Sequence, residues 1–184
     1  MEKINPTIVI QQKLASGMGL DKYAIIENRV HMVDVSSDAD FQRTFNGFYV
    51  VRRNAEWRTA YYRLFEDVKR SRSADFSYIL DELYQLTGNV EASFSSKMLA
   101  TLKPEMPIWD KYVVQNLGLR VPALNDPDRL QKTKILYASI VEWYTDFLAS
   151  ENAQECLVKF DEVLPDYRWL SHVKKIDFYL WSIR

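Results

Sequence analysis

The chain is 184 residues long, carries 24 Lys and Arg against 25 Asp and Glu, and is 47% hydrophobic. A chain of this length buries roughly 70% of its unfolded surface, so a single globular domain over 1–184 is expected without covalent or metal staples. Cys156 is the lone thiol and His31 and His172 are the histidines, which excludes an intrachain disulfide and a tetrahedral zinc site; neither a metal nor a cofactor is expected.

Lys3, Lys13, Asp21, Lys22 and Glu27 interrupt the first thirty residues, so no signal peptide or spanning helix is expected there, no membrane partner, and a cytoplasmic location. Glycine and proline together number 11, well below the usual share of roughly 12%, so turns are scarce and the elements should be long helices. The expected class is all-α, a compact multi-helix domain. Ile25 to Val33 and Phe41 to Val51 are apolar enough for two helices, with Phe48-Tyr49-Val50-Val51 equally readable as a short strand. Trp57, Tyr61, Leu64, Phe65 and Val68 fall on one helical face and predict a helix over about 54–70. Phe76, Ile79, Leu80 and Leu83 repeat the pattern behind Asp75, an N-cap, and stop at Thr87-Gly88-Asn89. Phe94, Met98 and Leu102 predict a third helix closed by Pro104 and Pro107. Trp109, Val113 and Leu117 predict a short fourth, closed by Gly118. Asp126-Pro127 reads as an N-cap with proline at the first helical position, opening the longest helix, through Leu130, Leu136, Ile140, Tyr144 and Phe147. Ala153, Cys156, Leu157, Phe160 and Leu164 predict the next, to Pro165. Val173, Ile176, Leu180 and Ile183 predict the last, behind Ser171.

The near-zero net charge hides an asymmetry. Residues 41–75 hold eight basic and four acidic groups, whereas 142–166 hold seven acidic groups against Lys159. Either the charges are a solvated surface, or the basic stretch is a face that attracts phosphate. On the second reading Arg52, Arg53, Arg58 and Arg70 are candidate DNA contacts. Lys174 and Lys175, near the end of the chain, are either a solvated basic patch or two further phosphate contacts.

The segment 88–119 reads GNVEASFSSKMLATLKPEMPIWDKYVVQNLGL. A helix, a glycine turn, a second helix bearing Lys97, then Ile108-Trp109-Asp110 opening a further helix resembles the helix-hairpin-helix DNA glycosylases, with the hairpin-like element near 75–102. The resemblance implies double-stranded DNA as partner, and Lys97 and Asp110 as catalytic groups flanking an extruded nucleotide. Here one glycine stands where that family usually has two, and thirteen residues separate Lys97 from Asp110, with Pro104 and Pro107 available to turn the chain back. The whole chain also looks like a family of small bacterial proteins that share SSKMLATL, PIWDKYV and KKIDFYLW, a resemblance that implies no activity.

The residue types suit that chemistry. Cleaving an N-glycosidic bond builds positive charge on the sugar, which a carboxylate at Asp110 would stabilise. A lysine amine whose pKa is lowered by burial or by a neighbouring cation, such as Lys103 or Lys111, can attack C1′ and form a Schiff base. Trp109 and Tyr112 would line the base pocket. Each residue also has a plain structural alternative: Asp110 as an N-cap, Lys97 as a lysine at the rim of an apolar stripe, Trp109 as core, Cys156 as a buried inert thiol. A helical interaction module, homodimeric or part of a bacterial regulatory or defence assembly, is the alternative function.

Overall fold

The computed structural model describes residues 3–16, 19–71 and 75–183. Among the described residues every regular element is helical, and no helix is long and apolar enough to cross a membrane. The chain divides into two compact units: a middle unit, Gly19–Lys103, and a terminal unit built from Met1–Met18 and Pro104–Arg184.

The middle unit holds α2 (Leu20–Val30), α3 (Ala39–Phe48), α4 (Ala55–Ser71), α5 (Phe76–Thr87) and α6 (Ala92–Leu102). Side-chain oxygens fix three of the starts. Asp38 accepts the Phe41 N–H at 2.7 Å, Asn54 the Trp57 N–H at 2.9 Å and Asp75 the Tyr78 N–H at 2.9 Å, each satisfying a donor that the first helical turn leaves open. The stripe read on 54–70 faces an aromatic core in which Phe45 meets Tyr49, Tyr61, Tyr62 and Phe65 with ring centroids 4.7 to 6.0 Å apart. Fully burying one such side chain is worth about 1.5–3 kcal/mol. The strand alternative at Phe48–Val51 is not realised. Helix α3 runs through Phe48, Tyr49 caps it, and Val50 takes a left-handed φ of 52° that breaks extended pairing. A β-branched residue pays for that conformation with strain, so the α3–α4 connection is held by its surroundings, with the Val51 N–H on Asn46 O at 2.9 Å. Gly88 ends α5 with φ 68°, and α5 and α6 pack against each other across the connection 88–91.

The terminal unit holds α1 (Pro6–Ser16), α7 (Lys111–Asn116), α8 (Arg129–Leu148), α9 (Glu151–Val163) and α10 (His172–Leu180). Helix α1 was not expected from the sequence. It packs on α9 and α10, and just before it Asn152 grips Ile4 reciprocally, accepting its N–H and donating to its carbonyl, both at 2.9 Å. Helix α8 is the longest, as its stripe predicts, but starts later than Asp126-Pro127. Asp126 Oδ1 instead accepts the Asp128 N–H at 2.9 Å, making a turn ahead of the helix, and Asp128 becomes the N-cap. Ser150 and Ser171 cap α9 and α10 through the N–H groups of Ala153 and Lys174.

Candidate functional site

Two of the features singled out in the sequence meet in the middle unit. The Arg52–Arg53 pair, leading into α4, and the end of α5 with its turn, through Leu86, Thr87 and Asn89, line one cleft of about 490 Å³. Asn54, Glu56, Trp57 and Ala60 complete its wall. Arg52 is exposed and has no ion pair among the described residues. Arg53 is held: its Nη2 donates to Glu91 Oε2 at 2.7 Å, and its guanidinium carbon lies 5.4 Å from the Trp57 ring centroid and 5.3 Å from that of Phe94. Trp57 in turn stacks on Tyr61, centroids 4.9 Å apart and planes 13° off parallel, and the Tyr61 hydroxyl donates to Phe94 O at 3.1 Å. Glu91 is only 6% exposed, and its Oε1 is buried with no hydrogen-bond partner among the described residues.

Lys97 belongs to the same aromatic cluster. Its Nζ sits 5.1 Å from the Phe94 centroid and 5.5 Å from that of Tyr49, within attractive cation–π range, and donates to Tyr49 O at 3.5 Å. Arg53 and Lys97 therefore share the ring of Phe94. The other arginines are placed differently. Arg70 lies toward the far end of α4, some fifteen residues of helix or roughly 22 Å along its axis, and is committed to Glu66 at 2.8 Å and Asp34 at 3.0 Å. Arg58 is half-buried on α4 without an ion pair among the described residues, and its charge acts on the Tyr62 hydroxyl.

Asp110 lies in the terminal unit. It caps α7, accepting the Tyr112 N–H at 2.8 Å. The turn before it is pinned at both ends: the Ser171 hydroxyl donates to Pro104 O at 2.5 Å and the Tyr137 hydroxyl to Pro107 O at 2.8 Å. Trp109 is 7% exposed and serves the core, while Tyr112 is half-buried with Lys111 5.8 Å over its ring.

Lys174 and Lys175 form no solvated patch. They are 0% and 2% exposed. Lys174 Nζ pairs with Asp177 Oδ2 at 3.1 Å, whose Oδ1 accepts the Tyr144 hydroxyl at 2.5 Å; Lys175 Nζ lies 2.7 Å from Asp161 and donates to Arg168 O at 2.9 Å. The physical reason is α10 itself, whose positions 173–180 are all buried, so that helix has no wet side for a charge to occupy. Burial pushes the Asp177 carboxyl above its usual range against the pull of Lys174 and Tyr144, and the charge of Asp110 adds to the rise. Among the described residues no group of three or more His, Cys, Asp or Glu could hold a metal ion.

The sequence did not mark Glu91 or the Tyr144–Asp177 pair. Glu91 meets Arg53 across 38 residues, a pairing invisible to local pattern. The signal for Asp177 was legible: Lys174 three positions before it, in a helix with apolar residues on every side. No family model, no curated protein and no solved structure matches the chain.

Proposed function

We propose that the protein binds double-stranded DNA through the cleft of the middle unit and acts on it as a glycosylase-like enzyme, with Lys97 and Asp110 in the roles that the helix-hairpin-helix resemblance gives them. The observation that supports this most is the convergence of the basic stretch and the α5–α6 turn on one cleft. Arg52 supplies there a cation with no ion pair among the described residues, and Thr87 and Asn89, on either side of Gly88, line the same space. The alternative, a helical interaction module, draws on a different feature. Val121 and Ile135 of the terminal unit, 49% and 58% exposed, line one open groove with Pro122 and Leu136.

Binding of a short duplex, followed by fluorescence anisotropy over a salt series, tests the DNA reading. Log affinity should fall linearly with log salt, and Arg52→Ala should reduce the slope by about 0.9, the value of one phosphate contact on B-DNA. Salt-insensitive binding, or none, rejects it. The enzymatic half is tested on damaged-base and abasic duplexes. Asp110→Asn keeps the cap and removes the charge, so it should abolish base release, and Lys97→Gln should abolish borohydride-trapped adduct. A wild-type protein that binds but releases no base and traps no adduct is a DNA-binding protein without this activity.

A further inference from the structure

We propose that Glu91 is a positioning residue that fixes Arg53 as a pre-oriented two-pronged donor for a phosphate oxygen of DNA in the middle-unit cleft; this rests on the reading above that the cleft takes DNA. A guanidinium carries five N–H donors in a rigid plane, and its usefulness to a phosphodiester lies in presenting two of them at once. Arg53 spends Nη2 on Glu91 at 2.7 Å, and no other hydrogen bond of its side chain is made among the described residues. Two rings, Trp57 and Phe94, lie within 5.4 Å of its guanidinium carbon, and Trp57 is itself backed by Tyr61. Glu91 is anchored in turn at the start of α6, 6% exposed, so it cannot follow a moving partner. The side chain of Arg53 nevertheless keeps 40% of its surface open, and the residue lines the cleft. It is a cation immobilised from behind and open in front. Arg52, exposed and untethered, is a plain point charge beside it.

A second feature separates positioning from simple ion pairing. Glu91 Oε1 is buried and unpartnered, so the carboxylate is only half satisfied by Arg53. A carboxylate kept in that state beside a phosphate-binding cleft works against long-range attraction for DNA. What Glu91 offers in exchange is the orientation it imposes on Arg53 through the 2.7 Å hydrogen bond.

The two views predict opposite signs. If Glu91 acts only through its charge, Glu91→Leu removes a negative group from beside the cleft and tightens DNA binding. If it positions Arg53, Glu91→Leu, which removes the acceptor as well as the charge, weakens duplex binding about tenfold and lowers the salt slope by about 0.9, because one phosphate contact is lost. Arg53→Gln should show the same loss, and the double variant should be no weaker than Arg53→Gln alone, since both substitutions remove one interaction. Arg53→Lys is the safeguard should Glu91→Leu fail to fold. It preserves net charge at a partly exposed site, so charge alone predicts unchanged affinity, whereas loss of the fork predicts a drop of about tenfold. Tightened or unchanged binding by Glu91→Leu, or unchanged binding by Arg53→Lys, overturns the inference while leaving the cleft as a DNA site. Absence of salt-sensitive binding by the wild-type protein overturns the cleft reading first, and the inference with it.

Discussion

Replacing Lys174 by methionine strips the buried ion pair of the terminal unit of its cation while nearly conserving volume. Lys174 and Asp177 are both 0% exposed, and the substitution leaves the Tyr144 hydroxyl as the donor to the Asp177 carboxylate. Breaking a buried pair from one side costs about 3–5 kcal/mol, a large share of the roughly 5–15 kcal/mol that holds a domain folded. At about 2–4 °C per kcal/mol for a chain of this size, the thermal midpoint should fall by roughly 6–20 °C. Lys174→Met/Asp177→Asn should recover most of that, because the asparagine oxygen still accepts from Tyr144 and no charge remains in the core. Acid should also rescue the single variant. Burial already holds the Asp177 carboxyl of the folded protein above its unfolded value, and loss of the lysine lifts it further. The folded state then takes up a proton before the unfolded state does, so the deficit is full above the folded value and shrinks as pH falls through it toward about 3.9, the ordinary aspartate value. Urea unfolding followed by circular dichroism, at neutral pH and at mildly acidic pH, measures both effects. A cost below about 1 kcal/mol, or a deficit that ignores pH, would refute the buried pair.

Two further outcomes follow from other buried groups. Glu66, 5% exposed, accepts from Val35 N–H, Lys69 and Arg70 at 2.9, 2.6 and 2.8 Å; burial pushes its carboxyl up, but these donors outweigh it and hold it below the usual range. The stability it adds is complete above the ordinary glutamate value and is lost as pH falls through its folded value, so Glu66→Gln should flatten the acid limb of the thermal-stability profile; an unchanged limb would count against this role. Cys156 is fully buried, and burial pushes its thiol up to about 12. The folded protein should therefore resist a thiol-labelling reagent at mildly alkaline pH and react fully in denaturant, and rapid native labelling would contradict that placement.

The helices were readable where a stripe of apolar residues met a clear stop. Asp75, with Phe76 to Leu83 and then Gly88, carries both its cap and its terminator in the local sequence. Helix α1 lacks that legibility because its stripe is short: Val9 and Ile10 are buried while Ile8 between the same turns is 52% exposed, and Asn152 and α9 supply what the segment does not carry itself. For the candidate site, the charge excess of 41–75 pointed to Arg52 and Arg53 but could not tell them from Arg70, whose carboxylates come partly from a distant loop at Asp34. Local sequence reports the sign of a charge. Tertiary pairing decides whether that charge is free.

Helix α1 has its partners in α9 and α10, and Ile4 is joined to Asn152 across 148 residues. During vectorial synthesis on the ribosome this order matters. Residues 19–103 emerge with every packing partner of their own unit already made, whereas α1 emerges before them and waits until Asn152 exists to hold it. Closing so long a loop carries a chain-entropy cost that grows only slowly with length, so the delay bears on timing far more than on final stability. The middle unit thus has the opportunity to fold first, and the terminal unit closes late, drawing α1 onto α9 and α10 long after it was made.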